Sequence, residues 1–340
     1  MLPGTLGSQF HDEEMRIDLA ALATRAGAKL IVAHAHGLDM KSGHILFSDH
    51  EPIAFDALSI GVGSMPAGWQ LHSASPAVVP IKPMQTFLER LALRLQTVEQ
   101  ERNGGLNPLD RPMTRVAVVG GGVASVEIAL CLWQQRQHQP SRFPLAIDVF
   151  TSSEHVAGRM TRRSVRKVER LLAARGIKVH CDHRIATVSD QELTTDDGKH
   201  YPADCVIWAT GAEPIPLLYK LGLRSDSHGF IATHDTLQSL TDPRIFAVGD
   251  CGTVIDSPSP KAGVYAVRQC PVLWHNLRAL FQGTPMRSFR PQADFLKLLN
   301  TGDGKALLEY RWLSIHAQWC LALKTWIDRR FIREFKDLFA

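Results

Sequence analysis

The segment Arg115–Glu127 constrains the fold of this chain more than any other, and it reads Arg-Val-Ala-Val-Val-Gly-Gly-Gly-Val-Ala-Ser-Val-Glu. A β-branched run leads into Gly120, Gly121 and Gly122, and an apolar helical pattern follows. This is the order of a strand, a turn and a helix that bind a dinucleotide. Glycines permit the tight turn and the approach of a phosphate, and a small residue such as Ser125 lets helix and strand pack closely. The segment therefore predicts a pyrophosphate site at the helix start.

Two later segments end in short motifs of small residues and a carboxylate. Val206–Pro214 contains an apolar run that leads into Ala-Thr-Gly, ending at Gly211, and Asp242–Asp250 ends in Gly249 and Asp250. Small residues at a strand end let the backbone pass close to a cofactor. A carboxylate at the carboxyl edge of a sheet can accept hydrogen bonds from a polyol. We therefore expect both segments to contribute to nucleotide binding.

The order of these three motifs resembles that of the pyridine nucleotide-disulfide oxidoreductase superfamily, whose members are flavoprotein reductases with two dinucleotide domains. The resemblance implies an α/β fold with two Rossmann-like domains, one inserted in the other, and FAD and NAD(P)H as cofactors. It implies that Gly120–Glu127 binds NAD(P)H. It also implies that Gly249 and Asp250 lie at the ribityl chain of FAD.

The end of the chain narrows this resemblance. Pro291–Leu307 contains Leu-x-Thr-Gly-Asp, and Lys324–Phe331 contains Trp-x-Asp-Arg-Arg-Phe. Both are similar to segments of type II NADH dehydrogenase-like proteins of the kind also found fused to selenide, water dikinase. The resemblance implies an enzyme that moves hydride from NAD(P)H to flavin and passes electrons to a quinone or another small acceptor.

The segment after Asp250 carries further residues that this resemblance assigns to the flavin. Lys261, Ala262 and Gly263 precede or begin a helix whose N–H groups would face the flavin ring and stabilise negative charge on it. Relatives that reduce quinones have glutamines on this helix. In this chain the matching positions are occupied by Gly263 and Val267, and the one glutamine near these positions in the sequence is Gln269.

Glu127 is the predicted catalytic residue, because the resemblance places a glutamate at this position near the nicotinamide and the flavin. The alternative is a first-turn acid that interacts favourably with the helix dipole. The choice between NADH and NADPH stays open. Ala146–Phe150 is followed by Thr151–Glu154, with no acid directly at the strand end for an NADH ribose and no arginine before Arg159 for an NADPH phosphate.

The motif order predicts a nucleotide domain inserted into another, and a linker at 103–108. Met1-Leu-Pro-Gly resembles an internal stretch of the family, so we expect the N-terminal βαβ unit of the FAD domain to be missing from this chain. The alternative function is therefore an FAD-free NAD(P)H-binding module or a truncated, non-catalytic fragment. The predicted domains are 1–110 (partial FAD domain), 111–236 (NAD(P)H domain), 237–290 (return to the FAD domain) and 291–340 (C-terminal segment).

Composition and spacing exclude several classes of function. The net charge of +4 is scattered, which argues against nucleic acid as a partner. The six cysteines form no C-x-x-C pair, so we expect a reducing, cytoplasmic location and no redox-active dithiol. The histidines lack metal-site spacing, so no metal is expected. Cys251 could serve packing or catalysis, and a weaker hypothesis uses it with Cys270 in sulfide oxidation.

The C-terminal segment 319–339 repeats apolar residues at helical spacing, with arginines interleaved. Such a helix could lie on an anionic membrane surface, which would place the protein peripherally on the inner membrane face. Equally, it could pack on the protein or on a second copy in a homodimer. Near the other end of the chain, Asp12 is expected to cap a helix that runs to Gly27, and residues 1–10 are expected to form a loop.

Overall fold

The structure of the chain, a computed structural model, describes residues 1–102, 113–138 and 145–337. The predicted linker at 103–108 and the last residues of the predicted C-terminal helix lie outside the described residues. The chain divides into two compact units. Unit 1 comprises Met1–Leu30, Pro66–Gly211 and Asp294–Ala340, and unit 2 comprises Ile31–Met65 and Ala212–Ala293.

The elements follow one another in chain order. The helices are α1 (Leu2–Leu6), α2 (Leu19–Arg25), α3 (Phe87–Arg102), α4 (Val123–His138), α5 (Arg162–Ala174), α6 (Pro216–Lys220), α7 (Gly263–Gln282) and α8 (Gln318–Lys336). The strands are β1 (Ala35–Asp39), β2 (His44–Phe47), β3 (Ile53–Ala54), β4 (Leu58–Ile60), β5 (Met65–Pro66), β6 (Val78–Pro80), β7 (Thr114–Val119), β8 (Leu145–Phe150), β9 (Lys178–His180), β10 (Ile185–Val188), β11 (Glu192–Thr195), β12 (His200–Pro202), β13 (Cys205–Trp208), β14 (Ala212–Glu213), β15 (Ile231–Thr233), β16 (Ile245–Ala247), β17 (Gly252–Val254), β18 (Lys297–Asn300), β19 (Ala306–Tyr310) and β20 (Leu313–Ala317).

Unit 1 is built on a five-stranded parallel sheet in the order β6-β13-β7-β8-β9. From β7 the chain passes through α4 to β8 and through α5 to β9, so these strands extend to one side. β13 and β6 lie on the other side. Parallel strands covered on both faces are continuously apolar, as in the buried run Val116–Val119. The chain continues from β7 to one side of the sheet, and β13 lies on the other side of β7. The carboxyl ends of β7 and β13 therefore form a topological switch point, where open α/β sheets bind ligands.

Helix α4 forms the centre of the unit 1 core. Its residues from Ser125 to Leu132 are all buried. Helix α1 packs against α4, and so does β18, a strand of the antiparallel sheet β18-β19-β20. The turn after β18 is the predicted Leu-x-Thr-Gly-Asp motif. Gly302 in this turn has a φ of +67°, and a Cβ added to it would overlap the carbonyl of Leu130 on α4. Glycine is therefore required for the turn to pack against the helix.

Unit 2 has smaller sheets. β1, β2 and β3 form an antiparallel meander, while β4 pairs with β16 and β15 pairs with β17, both in parallel. Its core is a cluster around the buried strands β15 and β16, with side chains from α6 added. The carboxyl ends of β4 and β16 are neighbours, since Leu58 lies opposite Ile245 and Ile60 opposite Ala247.

The predicted α/β class with Rossmann-like parallel strands is confirmed, whereas the predictions of a loop at residues 1–10 and of a helix capped by Asp12 are wrong. Residues 2–6 form α1, and Asp12 begins only a 3-10 turn at Asp12–Met15. The helix after it is α2, which Asp18 caps by accepting hydrogen bonds from the N–H groups of Ala20 and Ala21. Both aspartates fit the N-cap preference, so the sequence pattern alone did not distinguish them. The predicted domain boundaries stay a prediction.

Candidate functional site

The predicted glycine turn lies at the switch point of unit 1, between the ends of β7 and β13. Gly120 has a φ of +139°, and a Cβ added to it would overlap the carbonyl of Ala209 and lie 2.7 Å from the Ser125 hydroxyl. That hydroxyl donates a hydrogen bond of 2.9 Å to the same Ala209 carbonyl. The Gly120 turn and the Ala-Thr-Gly motif, predicted separately, are thereby brought together, and Ser125 links them.

The second glycine of the turn is held by the loop that follows β8. A Cβ on Gly121 would overlap the side chain of Thr151. The carbonyl of Gly121 accepts a hydrogen bond of 2.7 Å from the N–H of Ala157. The loop after β8 therefore folds back onto the glycine turn, a contact that the sequence pattern did not predict.

The third glycine faces open space. A Cβ added to Gly122 or to Gly211 would meet no atom within 4 Å. α4 begins at Val123, and the first N–H groups of a helix have no intrahelical acceptor. Room beside the backbone, free donors and the positive end of a helix dipole together fit a pyrophosphate. The residues of unit 1 thus fit a dinucleotide such as NAD(P)H.

Glu127, the predicted catalytic residue, is buried on α4 and held by the C-terminal segment. Its Oε1 atom accepts a hydrogen bond of 2.9 Å from the N–H of Asn300 and lies 3.6 Å from Lys324 Nζ. It belongs to the second turn of α4, since the first turn contains no acid, so a first-turn interaction with the dipole does not describe it. Sequence reasoning missed Asn300 and Lys324, and no local pattern relates residues so far apart.

Lys324 connects two carboxylates in this region. Its ammonium group lies 3.6 Å from Glu127 and 3.6 Å from Asp328 on the same helix. Burial disfavours the charged ammonium, but the two carboxylates outweigh burial and raise the pKa of Lys324 above its usual value. At neutral pH the lysine is therefore a charged partner that neutralises Glu127.

The Gly-Asp motif of unit 2 follows β16 and is fixed mainly by side chains. Asp250 accepts a hydrogen bond of 2.8 Å from the hydroxyl of Ser64, which follows the end of β4. The N–H of Gly249, whose φ is +67°, donates a hydrogen bond of 2.6 Å to the side chain of Gln269 on α7. Gln269 is buried and positions the motif, a role that the sequence did not suggest.

The residues at the start of α7 differ in their surroundings. Lys261 donates hydrogen bonds to the Gly252 carbonyl at 2.6 Å and to the Thr253 hydroxyl at 2.8 Å, and its ammonium group lies over the ring of Phe230. Its burial lowers the pKa of Lys261. Lys261 thus holds the chain that leads into α7.

Ala262 is the residue before the first turn of α7, and a Cβ added to Gly263 would meet no atom within 4 Å. The space at Gly263 and the free N–H groups of the first turn fit one end of a flavin ring, and the Asp250 carboxylate fits a ribityl chain. These residues of unit 2 would hold the ring and ribityl parts of FAD.

Cys251 follows Asp250 and is fully buried, with its thiol 3.2 Å from the Ile60 carbonyl. Burial raises the pKa of the Cys251 thiol, which disfavours the reactive thiolate. Cys270 is exposed on α7, on a different face from buried Gln269. Among the described residues, no group of three or more His, Cys, Asp or Glu side chains could hold a metal ion.

The sequence pattern that defines the pyridine nucleotide-disulphide oxidoreductase family matches residues 6–270. The NADH dehydrogenase-like protein YutJ of Bacillus subtilis is 26% identical over 271 residues, which are 79% of this chain and 69% of that protein. The type II NADH:quinone oxidoreductase of Haemophilus influenzae is 28% identical over 196 residues, which are 54% of this chain and 44% of that protein.

The fold is similar to that of the sulfide:quinone oxidoreductase of Aquifex aeolicus, with a TM-score of 0.77 at 16% identity. The similarity covers 99% of this chain and 82% of that one. At this identity the likeness concerns the fold alone.

Proposed function

Since the chain belongs to the pyridine nucleotide-disulphide oxidoreductase family, we propose that it oxidises NAD(P)H and passes the electrons, through FAD, to a quinone or another small acceptor. NAD(P)H binds in unit 1 at the start of α4, and FAD binds unit 2 through its ring and ribityl chain. The observation that carries this proposal is the junction of Gly120, Ser125 and Ala209 at the switch point. That junction leaves room at Gly122 for a pyrophosphate.

Each residue has a defined task in this proposal. Gly120 makes the turn, Gly121 packs against the loop after β8, and Gly122 leaves space for the pyrophosphate, which the first N–H groups of α4 bind. Ser125 fixes the helix against the end of β13. When bound, FAD supplies the hydride acceptor and the electron transfer, chemistry that no side chain provides.

Glu127 lies on the second turn of α4, the helix whose first N–H groups would bind the pyrophosphate. The Asn300 N–H and the Lys324 ammonium hold the carboxylate of Glu127 in one orientation. We propose that the carboxylate orients the nicotinamide and that Lys324 holds the carboxylate in place. Asp250 and Gly263 have the corresponding tasks toward the ribityl chain and the flavin ring.

The acceptor is proposed to be a quinone because of the named relatives. The Haemophilus influenzae relative is a type II NADH:quinone oxidoreductase. A quinone can take protons from water after reduction, so the reaction needs no protein acid at the acceptor. These relatives do not favour the alternative hypothesis from the sequence, a non-catalytic nucleotide-binding module.

The experiment that tests the proposal is the visible absorption spectrum of the purified chain, followed by anaerobic addition of NADH and NADPH. Flavin bands at about 375 and 450 nm that bleach on addition of either nucleotide are expected for a bound, reducible flavin. A colourless protein that added FAD does not restore would contradict the proposal. Gly122→Ala is a useful companion, because it should retain the flavin bands and bleach only at higher nucleotide concentration.

We further propose that α8 binds the surface of an anionic membrane. Its exposed face carries Trp319 and Trp326, followed by Arg329, Arg330 and Arg333. Exposed tryptophans beside arginines suit the boundary between acyl chains and charged headgroups. Within the described residues, no helix is long and apolar enough to cross a bilayer.

Cosedimentation with vesicles distinguishes this membrane contact from a homodimer through the same helix. The chain should sediment with vesicles rich in anionic phospholipid and stay in the supernatant with neutral ones. The double variant Trp319→Ser with Trp326→Ser should lose this binding. If the variant instead converts a dimer into a monomer in light scattering and vesicles bind neither form, α8 is a dimer interface.

A further inference from the structure

The loop that follows β8, residues 151–161, lies beside the glycine turn and contains features that the proposed hydride transfer does not use. In doubly wound α/β folds the adenosine ribose lies past the end of the strand next to the first strand, which here is β8 next to β7. The group at this position decides whether the ribose carries a hydroxyl or a phosphate.

The position directly after β8 is filled by a buried neutral side chain. Thr151 is 3% exposed, packs against Gly121, and its hydroxyl accepts a hydrogen bond of 3.1 Å from the N–H of Ser153. A carboxylate here would bind the two ribose hydroxyls of NADH and repel a 2′-phosphate. Thr151 carries no charge, so the side chain directly after β8 does not repel a phosphate.

The loop contains one arginine, Arg159, close in the chain to the residue that contacts the glycine turn. Ala157, in the left-handed conformation with a φ of +52°, donates a hydrogen bond to the Gly121 carbonyl. Arg159 follows two residues later, so its Cα lies within about 7 Å of Ala157 even in a fully extended chain. Arg159 is exposed, and among the described residues it takes part in no ion pair.

Charge around the loop favours an anion. Arg162, Arg163 and Arg166 are exposed on the first turns of α5, directly after the loop. The one carboxylate within the loop is Glu154, whose side chain is 84% exposed and lies 3.6 Å from His155. Two carboxylates from outside the loop also contact it: Glu169 lies 3.0 Å from His155, and Glu309 accepts hydrogen bonds from Thr161 and from Lys297. Arg159 and the three arginines on the first turns of α5 still outnumber these carboxylates and Glu154, while the pyrophosphate has its own donors at the start of α4.

We propose that loop 151–161 binds the 2′-phosphate of NADPH and that Arg159 is the residue that makes the site prefer NADPH to NADH. This inference rests on the proposed function, namely that a nicotinamide dinucleotide binds at the glycine turn. A guanidinium group binds a phosphate dianion with two charge-assisted hydrogen bonds, whereas the 2′-hydroxyl of NADH offers it one neutral partner.

The test is equilibrium binding, measured by calorimetry with NADPH, NADH and 2′,5′-ADP on the full chain. The wild type should bind NADPH about tenfold or more tightly than NADH, and added salt should narrow that difference. Arg159→Gln should lower the affinity for NADPH and for 2′,5′-ADP by about tenfold and change the affinity for NADH by less than about twofold. Arg159→Lys should fall between them, since it keeps the charge and loses the planar fork.

The matched control is Arg170→Gln, which removes the same charge from an exposed position farther along α5 and should leave all three affinities unchanged. Two results overturn the inference. One is a wild type that binds NADH as tightly as NADPH, and the other is an Arg159→Gln variant that weakens both dinucleotides equally, which would place Arg159 at the pyrophosphate. A wild type that binds neither dinucleotide would instead contradict the proposed function.

Discussion

The two units each carry a candidate nucleotide motif at a strand end, but they hold it in place differently. In unit 1 the turn follows β7, which pairs with a strand on each side. Backbone contacts of Gly120 and Gly121 fix it, together with one hydrogen bond from the Ser125 hydroxyl. In unit 2 the motif follows β16, and the side chains of Ser64 and Gln269 fix it. A site made by backbone geometry tolerates few substitutions, whereas a site held by side chains loses its ligand gradually as they are removed.

The largest effect is expected at Gly120. Gly120→Ala places a Cβ against the Ala209 carbonyl at a φ that disfavours other residues. We expect it to lower the free energy of unfolding by about 3 kcal/mol and to abolish NAD(P)H binding. Denaturant unfolding and nucleotide titration would measure this. Gly122→Ala is the control, because it should fold normally and only lower the affinity for the nucleotide. Equal free energies of unfolding for the two variants would contradict the view that the Gly120 backbone fixes this turn.

Lys324→Met removes the cation that neutralises Glu127, and it should lower the free energy of unfolding by about 3 kcal/mol because a buried carboxylate is left unpaired. The control Lys336→Met, at an exposed position of the same helix, should have little effect.

The contribution of Lys324 to the free energy of unfolding should depend on pH. The folded pKa of Lys324 is raised above its usual 10.5, so its contribution is fully present below pH 10.5. The contribution is lost as the pH rises through the folded pKa. The stability difference between wild type and Lys324→Met should therefore be constant from neutral pH to about pH 10 and shrink above it. A difference that grows with pH in this range would contradict the proposed ion pair.

Asp250→Asn tests the side-chain site of unit 2. It should weaken FAD by about tenfold to a hundredfold, through the loss of a charged acceptor for the ribityl hydroxyls, and leave NAD(P)H binding unchanged. Flavin absorbance after reconstitution with increasing FAD measures this. Asp256→Asn, at an exposed position, serves as the control. An unchanged flavin content in Asp250→Asn would remove Asp250 from the FAD site.

The smallest effect concerns the cysteines of unit 2. A thiol reagent at neutral pH should modify exposed Cys270 first and buried Cys251 only after unfolding, because burial raises the pKa of Cys251. Mass spectrometry of the labelled peptides would show the order. The double variant Cys251→Ala with Cys270→Ser should keep its NAD(P)H-dependent turnover. Loss of turnover would favour the sulfide-oxidation hypothesis.

The family and its chemistry were predictable from short-range patterns. The match over residues 6–270 confirms the predicted superfamily, and with it an oxidoreductase of the class that uses FAD and NAD(P)H. Local turn chemistry acts over the same short range: Gly176, at a φ of +70°, lies just after the end of α5. The roles of Glu127, Asp250 and the glycines stay predictions.

The sequence by itself determined the order of the strand–turn–helix motif, the glycines of its turn and the class of cofactor. These follow from backbone sterics and hydrophobic spacing, which act between near neighbours in the chain. Only the tertiary structure decided that Lys324 and Asn300 hold Glu127, that Gln269 holds Gly249, and that Ala157 ties the loop carrying Arg159 to Gly121. Such pairs form because strands and helices pack in three dimensions, and no periodicity along the chain records which distant residues then meet.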